Sequence, residues 1–336
     1  MTLEEYQKLP DAELYHIIFR LRKEKDAVFL VHNYQILPVQ KLADVIGDSL
    51  ALAQAAVKVK AGTIVFCGVH FMAESAKLLN PEKQVLLPDQ GAGCPMADMV
   101  APEALRRARK RYSNPIIVAY VNTSAAVKAE SDICCTSSNA VDIIKSLPAN
   151  RDILFIPDKN LGSYAAKISG LPARSLNSET GDVSAKAGRK LILWPGYCYV
   201  HDRFTVQDIK NAREEHPGAT VIVHPECPPE VAEKADIVAS TSGMVEAVKG
   251  HPEIDEWVIG TETGLVEQLS AAYPQKEIYP LAANAVCRNM KMITLPKVAW
   301  ALENQKYEIT VPAEVIDKAR RALERMLEVS RKSSNS

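Results

Sequence analysis

Three cysteines in this sequence stand at positions that suggest metal binding. Each follows an apolar run and a short turn-rich stretch, in "QVLLPDQGAGC", "KLILWPGYC" and "EIYPLAANAVC", which end at Cys94, Cys198 and Cys287. No second cysteine lies within twenty residues of Cys94, so the local cysteine pair that marks many zinc sites is missing there. Three thiolates that meet in the fold can hold an iron–sulfur cluster or a zinc ion.

Polar side chains that can transfer protons also recur, at the ends of three other apolar runs. The two members of each pair are separated by one residue, and residues i and i+2 of a strand point to the same face. Together they offer a carboxylate, two imidazoles and two phenols, which suits repeated proton transfers. A single histidine at a strand end is more often structural, but three aligned pairs favour a functional cavity. The pairs are His32 with Tyr34, Tyr120 with Asn122, and His224 with Glu226.

Three hydroxyl residues, Ser49, Ser137 and Thr241, stand where helices are predicted to begin. The usual role of such a residue is to cap the helix. Helix N-termini also bind anions through their free backbone N–H groups. Three of them facing one cavity would suit a substrate that carries several carboxylates or phosphates.

A pattern that occurs three times must position these residues. Each copy has a β-branched strand with a polar end, an Asp that opens a second strand, a helix ending in lysine, and two further strands, the last followed by a cysteine. The Asp comes 12 residues after the first polar residue, in the pairs His32 with Asp44, Tyr120 with Asp132, and His224 with Asp236. This spacing is harder to obtain by chance than a simple alternation of strands and helices, so we interpret it as a triplication.

The triplication predicts an α/β fold with three pseudo-symmetric αβα (parallel-sheet) domains around a central active site. Ligands of parallel sheets bind beyond the carboxyl ends of the strands, so the three cysteines would meet although 104 and 89 residues separate them. The second copy has 66 residues between its Asp and its Cys, against 50 and 51 in the others, and we expect the excess within 170–188. The predicted segments are an N-terminal helical segment (1–26), the repeats 27–111, 112–215 and 216–300, and a C-terminal helix and tail (301–336).

Other interpretations of the cysteines stay open at this point. Cys67, Cys134 and Cys135 are expected to be buried small residues inside strands, and the same interpretation of a buried small residue extends to Cys227. Zinc is the rival metal, because His201 would complete a Cys₃His set in a zinc lyase or hydrolase. A non-enzymatic iron–sulfur sensor is disfavoured, because the sequence shows no patch typical of nucleic-acid binding.

Composition favours a cytoplasmic protein. Forty basic and 41 acidic residues give a net charge of −1, which attracts neither nucleic acid nor an anionic membrane. The N-terminus is typical of an amphipathic helix rather than a signal peptide, and no apolar run reaches membrane-spanning length. Seven cysteines, an odd number, suggest thiols or metal ligands in a reducing compartment.

The GxGxxG and GxxxxGK[ST] signatures of nucleotide binding do not occur in the sequence.

Motifs along nearly the whole chain resemble those of the quinolinate synthase (NadA) family. In order they are "VHNYQ", "DQGAGCPMAD", "YVNTSAAVKAESD", "PDKNLG", "WPGYCYVH", "HPEC", "STSGM", "GTETGL" and "CRNMKMITL". The resemblance implies a transferase of NAD biosynthesis, a pyridine nucleotide pathway, that condenses iminoaspartate with dihydroxyacetone phosphate to quinolinate, with loss of phosphate and two waters. It also implies functional coupling to an L-aspartate oxidase or dehydrogenase.

The same resemblance implies roles for individual residues. A [4Fe–4S] cluster, one per chain, would have the three ligands Cys94, Cys198 and Cys287, and its open iron would act as a Lewis acid. Some relatives carry a CxxCxxC around the third ligand, whereas this chain has only Cys287 there. The residues expected to be catalytic are Glu226, Tyr34, His224 and His201. Those expected to bind substrate are His32, Ser49, Tyr120, Asn122, Ser137 and Thr241.

Overall fold

The computed structural model describes residues 1–176 and 189–333. Short strands alternate with helices along this part of the chain. The strands are β1 (Ala27–His32), β2 (Val45–Gly47), β3 (Thr63–Cys67), β4 (Gln84–Leu86), β5 (Ile116–Tyr120), β6 (Ile133–Cys135), β7 (Ile153–Ile156), β8 (Ala173–Ser175), β9 (Leu191–Leu193), β10 (Thr220–Val223), β11 (Ile237–Val238), β12 (Glu256–Gly260) and β13 (Glu277–Pro280).

Most helices are short, and several connect consecutive strands. The α-helices are α1 (Leu3–Tyr6), α2 (Asp11–Glu24), α3 (Leu37–Gln40), α4 (Ser49–Lys58), α5 (His70–Leu79), α6 (Pro102–Arg111), α7 (Ala125–Ala129), α8 (Ala140–Ser146), α9 (Lys159–Ile168), α10 (Val206–Glu215), α11 (Pro229–Ala232), α12 (Thr241–Gly250), α13 (Thr263–Ala272), α14 (Leu295–Asn304) and α15 (Ala313–Ser333). Two 3₁₀ helices span Ala97–Met99 and Met290–Met292. No helix of the described residues is long and apolar enough to cross a membrane.

The strands form three sheets, and their pairs are parallel. The first sheet has the order β2-β1-β3-β4 and the second has the order β6-β5-β7-β9-β8. In the third, β10 pairs with β11 and β12 pairs with β13. All residues of β3, β5 and β7 are buried, as expected when helices cover both faces of a parallel sheet. The predicted fold class, α/β with three αβα (parallel-sheet) domains, is confirmed.

By its internal contacts the chain divides into two compact units. Unit one comprises Met1–Cys94 and Thr241–Pro312, and unit two comprises Pro95–Ser240 and Ala313–Ser336. In unit one, α14 packs against α1 and α2, and in unit two, α15 packs against α7, α8 and β6. The five segments expected from the sequence stay a prediction.

A contact between an Asp and a backbone amide aligns the first two strands of each copy. The Asp immediately precedes the second strand, and its Oδ2 accepts a 2.8 Å hydrogen bond from an amide early in the first strand. An arginine of a preceding helix pairs with the same carboxylate. The three sets are Arg22–Asp44–Phe29, Arg109–Asp132–Ile117 and Arg213–Asp236–Val221. This contact gives a physical reason for the repeated spacing of the Asp.

The polar pairs lie differently from the prediction. The first strands end at His32, Tyr120 and Val223, so Tyr34, Asn122 and Glu226 lie in the irregular segments that follow the strands. Because the second residue of each pair is not part of a strand, the alternation of side chains along a strand cannot orient it. The prediction that both residues of a pair point to the same face of a strand is therefore wrong.

The extra length of the second copy includes an additional strand. β8 lies at the edge of the second sheet, beside β9, and falls within the predicted stretch 170–188. Residues 177–188 of that stretch lie outside the described residues.

Candidate functional site

In unit two, four predicted site residues lie together. They are Glu226, whose carboxylate is buried, and around it His201, His224 and Cys198. His201 Nδ1 lies 2.7 Å from Glu226 Oε2, and His224 Nδ1 lies 3.8 Å from the same oxygen. The two imidazoles stack with centroids 4.5 Å apart. Cys198 joins them, because its sulfur and one ligand atom each of His201 and Glu226 lie within 4.8 Å of one another. This group has the donor atoms of a metal site.

The environment of Glu226 keeps it ionised. Burial raises its pKa, but the charges of His224 and His201 and the hydrogen bonds from His201 and Tyr120 outweigh burial and lower the pKa to about 2. A carboxylate with such a low proton affinity is a weak base by itself. An adjacent imidazole can take up a proton that the carboxylate accepts only while that imidazole is neutral.

A second carboxyl group nearby, Asp158, behaves in the opposite way. It is fully buried, and burial together with the charge of Glu226 raises its pKa well above the ordinary value. Its Oδ1 accepts a hydrogen bond from Leu161 N and caps α9, while its Oδ2 has no partner among the described residues. Two neighbouring carboxyl groups with divergent pKa values are typical of acid–base sites. Sequence reasoning missed Asp158, although an Asp just before a helix is a recognisable cap signal.

Tyr120 and Asn122 lie at and just beyond the end of β5. Tyr120 is buried and hydrogen-bonds to Glu226. The Oδ1 atom of Asn122 is buried and has no hydrogen-bond partner among the described residues. Buried polar atoms are normally satisfied, so a bound ligand is the natural partner for this oxygen.

Unit one contains the matching pair His32 and Tyr34. Their rings meet edge to face at 4.7 Å, and Tyr34 N donates to His32 Nδ1 at 3.1 Å. His224 Nδ1 accepts from Glu226 N in the same way, at 3.3 Å. When either ring is neutral, these bonds place its proton on Nε2. The Tyr34 hydroxyl lies 2.6 Å from Thr261 Oγ1.

The predicted hydroxyl residues do begin or precede helices, but the capping interpretation is wrong for Ser137, because Asn139 is the N-cap residue of α8, and it is wrong for Ser49. Asp48 caps α4 instead, accepting from Ala51 N at 2.9 Å. Ser137 lies three residues before α8. Thr241 is the first residue of α12, and its Oγ1 accepts from Asn33 Nδ2 at 3.1 Å.

The loops that carry Cys94 and Cys287 lie side by side in unit one. Lys297 pairs with Asp89 of the first loop and donates to Met292 O, just after the second loop, at 2.8 Å. A Cβ added to Gly91 would lie 2.5 Å from Met292 Cε. A larger residue at Gly91 would therefore have to displace the end of the Met292 side chain.

An ion pair missed in the sequence supports the Cys287 loop. Glu262, fully buried, accepts from Cys287 N at 3.1 Å and pairs with Lys291 at 2.9 Å. Lys291 also donates to Tyr34 O at 2.7 Å. Burial raises the pKa of Glu262, although Lys291 opposes this effect. One buried pair therefore connects the backbone of a predicted ligand with that of a predicted catalytic residue.

The three predicted ligands share one local geometry. Each lies eight residues before the first residue of a ten-residue helix, namely α6, α10 and α14 for Cys94, Cys198 and Cys287. All three are half-buried. Because metal-binding thiols must lose their proton, partial access to solvent suits this role, and three soft thiolates are ligands that iron–sulfur clusters and zinc prefer.

The other four cysteines do not suit metal binding. All are buried and none forms a disulfide within the described residues, and burial raises the pKa of each thiol, to about 12 for Cys134. The group is Cys67, Cys134, Cys135 and Cys227. The expectation that they are buried residues is confirmed.

Sequence comparison places these features in a family. A family model described as "Quinolinate synthetase A protein" (NadA) matches residues 16–328. The quinolinate synthase of Methanoregula boonei is 50% identical over 310 residues, covering 92% of this chain and 96% of its own. That of Pyrococcus furiosus is 48% identical over 318 residues (95% and 98%), and that of Dehalococcoides mccartyi 47% over 314 residues (94% and 97%). The chain belongs to the quinolinate synthase family and is an enzyme.

Proposed function

We propose that this enzyme condenses iminoaspartate with dihydroxyacetone phosphate to give quinolinate, phosphate and two waters. The reaction joins the two carbon skeletons, eliminates phosphate and aromatises the ring, with no net change of redox state. It therefore needs groups that move protons and assist leaving groups, rather than a hydride carrier. The observation that carries the proposal is the buried cluster of Glu226, His201, His224 and Tyr120, in a chain whose relatives bear this enzyme's name.

The cysteines suggest the cofactor. Cys94, Cys198 and Cys287 would hold a [4Fe–4S] cluster, whose open iron supplies a Lewis acid for dehydration. The fit of the residues is supported by their shared position before three equivalent helices and by their partial exposure.

The carboxylate of Glu226 would begin the chemistry by accepting a proton from carbon during enolisation. Its low pKa makes it a poor final acceptor, so the proton would pass on to His201 or His224, whichever imidazole is neutral at that step. Tyr34 is proposed as a further proton carrier, because its hydroxyl hydrogen-bonds to Thr261 and can donate or accept.

Polar groups at strand ends and helix starts would hold the substrates, which carry carboxylates and a phosphate. Asn122 would offer its unpartnered oxygen to a donor of the substrate. Ser49 and Thr241 open ten-residue helices whose N-termini favour anions. The proposed substrate-binding set is completed by His32, Tyr120 and Ser137.

Iminoaspartate hydrolyses readily in water, so a neighbouring L-aspartate oxidase or dehydrogenase would supply it. None of the seven cysteines forms a disulfide within the described residues, which suits the reducing conditions of the cytoplasm. We place the protein there.

A mononuclear zinc enzyme is a second candidate, favoured by the cluster of Cys198, His201 and Glu226. Metal analysis of protein purified without oxygen separates the two. About four irons and four sulfides per chain, with a brown colour, would support the cluster. One zinc in a colourless protein would favour the alternative.

The activity itself is tested by supplying dihydroxyacetone phosphate and iminoaspartate generated in situ, and by measuring quinolinate. We expect turnover that is lost on exposure to air, because one iron of the cluster would have no protecting thiolate. Air-stable synthesis would contradict the open iron, and no synthesis by iron-loaded protein would contradict the function.

A further inference from the structure

Two side chains at matching positions hold the turns that present proposed site residues. Gln40 and Lys128 each lie six residues after such a residue, Tyr34 or Asn122. Gln40 Nε2 donates to Asn33 O at 3.0 Å and to Gln35 O at 2.8 Å. These two carbonyls stand on either side of Tyr34.

Lys128 makes the corresponding contacts in the second copy. Its Nζ donates to Val121 O at 2.8 Å and to Thr123 O. These carbonyls stand on either side of Asn122. Lys128 is completely buried and Gln40 is 9% exposed, so the loss of either donor would leave two carbonyls without a nearby substitute from solvent.

The position of these donors explains why they matter. The last hydrogen bonds to the neighbouring strand are those of Asn33 N to Gly47 O at 3.1 Å and of Val121 N to Cys135 O at 2.9 Å, so Tyr34 and Asn122 lie just beyond the sheet ladder. Each donor comes from the short helix that follows the turn, α3 or α7. It ties both neighbours of the site residue to that helix and thereby fixes the direction of its side chain.

The third copy has no side-chain donor at the position that matches Gln40 and Lys128. The residue six positions after Glu226 is Ala232, which has no donor in its side chain. The Glu226 carbonyl accepts instead from Asn160 Nδ2, at 3.0 Å. The Glu226 carboxylate is already held by Tyr120 and His201, so it depends less on its turn.

We propose that Lys128 and Gln40 are positioning residues that orient Asn122 and Tyr34 for the reaction. That these two side chains hold the backbone of the turns is inferred from the structure alone, whereas the expected kinetic effect rests on the proposed function. Asn122 is proposed to bind substrate and Tyr34 to carry protons, so the two donors should affect different kinetic constants.

The test removes the donors without changing side-chain length greatly, with Lys128→Met and Gln40→Met. We expect K128M to raise KM by about 10-fold or more and Q40M to lower kcat by a similar factor, because small displacements of reacting groups are costly. Lys128→Gln, which restores a donor of the kind present in the first copy, should recover most of the loss. If K128M does not fold, Q40M and K128Q carry the test.

Lys276 offers a matched control. It is 9% exposed, and its Nζ also donates to two carbonyls, His251 O at 2.8 Å and Ile254 O at 2.5 Å. These lie before β12, at the amino end of the strand and away from the site residues. Lys276→Met should therefore lower the unfolding midpoint but leave KM and kcat of the folded enzyme unchanged.

Amide hydrogen exchange supplies a readout that does not depend on activity. Exchange within 118–124 should accelerate in K128M and return towards wild type in K128Q, and exchange within 32–36 should accelerate in Q40M. Unchanged exchange in these segments, or kinetic losses in K276M equal to those in K128M and Q40M, would overturn the proposal. If the wild-type enzyme makes no quinolinate, the proposed function fails, and the exchange data alone decide whether these residues hold the turns.

Discussion

Glu226 owes its properties to its neighbours rather than to its position at the end of a strand. Two imidazoles and a phenol surround the buried carboxylate and keep it charged in spite of burial. The sequence predicted that Glu226 and His224 lie near each other, because they are two residues apart. It could not predict the 2.7 Å contact with His201, because only the folded chain brings positions 201 and 226 together.

Replacing the Glu226 carboxylate by an amide removes the negative charge and keeps the shape of the side chain, so the effect of the charge can be measured by itself. We expect Glu226→Gln to lower kcat by about 100-fold or more, within the range for loss of a general base, while the iron content stays that of the wild type. Quinolinate formation and iron analysis on the same samples provide the measurement. The control is Glu233→Gln, because Glu233 is an exposed carboxylate of the same unit that pairs with Lys167. Full turnover by E226Q would contradict the proposed role of Glu226.

Asp158 should affect stability through pH. Because burial raises its pKa above the ordinary 3.8, the folded state retains a proton that the unfolded state releases, and stability falls as the pH rises through the interval between the two values. Asp158→Asn keeps an acceptor for Leu161 N and cannot ionise. The free energy of unfolding of D158N should therefore exceed that of the wild type by an amount that grows from about pH 4 upward. Denaturation with urea at several pH values measures this difference, and parallel pH profiles would show that Asp158 is not held protonated.

At the scale of helices and strands, the periodic spacing of residues predicted more of the structure than the helix-cap and turn signals did. β-branched runs indicated the buried parallel strands, and the repeated spacing of Asp44, Asp132 and Asp236 reflected a real contact with the first strand. The cap of α4 was assigned to the wrong residue, because Asp48 and Ser49 can both cap and only the backbone angles decide between them. The turn at Tyr34 escaped prediction because nothing in the local sequence marks where β1 stops.

The Asp contact should contribute to stability mainly through its bond to the strand. We expect Asp236→Ala to lower the free energy of unfolding by about 1–3 kcal/mol, because the buried amide of Val221 loses a charged acceptor. Arg213→Ala should cost less than about 1 kcal/mol, because both side chains of this ion pair are more than 40% exposed. Urea denaturation of the two variants gives the comparison. Equal losses would mean that the ion pair, and not the amide bond, does the stabilising.

At the scale of the whole chain, the proposed ligands come from distant segments of one repeated design. Cys94 and Cys287 occupy neighbouring loops of unit one, and Cys198 lies in unit two beside His201 and Glu226. A window of twenty residues on either side of any one of them contains no second cysteine. The repeat, in which each copy ends in a cysteine, is what suggested the three together as ligands, and this assignment stays a prediction. The structure adds that each cysteine lies eight residues before an equivalent helix.

Single replacements of the cysteines distinguish a shared cluster from a local zinc site. A cluster with three protein ligands should lose most of its iron, and its brown colour, in each of Cys94→Ser, Cys198→Ser and Cys287→Ser, because two thiolates hold a [4Fe–4S] cluster poorly. A zinc ion on Cys198, His201 and Glu226 would instead be lost in C198S and retained in C94S and C287S. Cys134→Ala and Cys227→Ala are the controls and should keep the metal, because these thiols are buried and burial raises their pKa values. Iron, sulfide and zinc are measured on all five variants purified without oxygen, and full iron in C94S or C287S would remove that residue from the proposed ligand set.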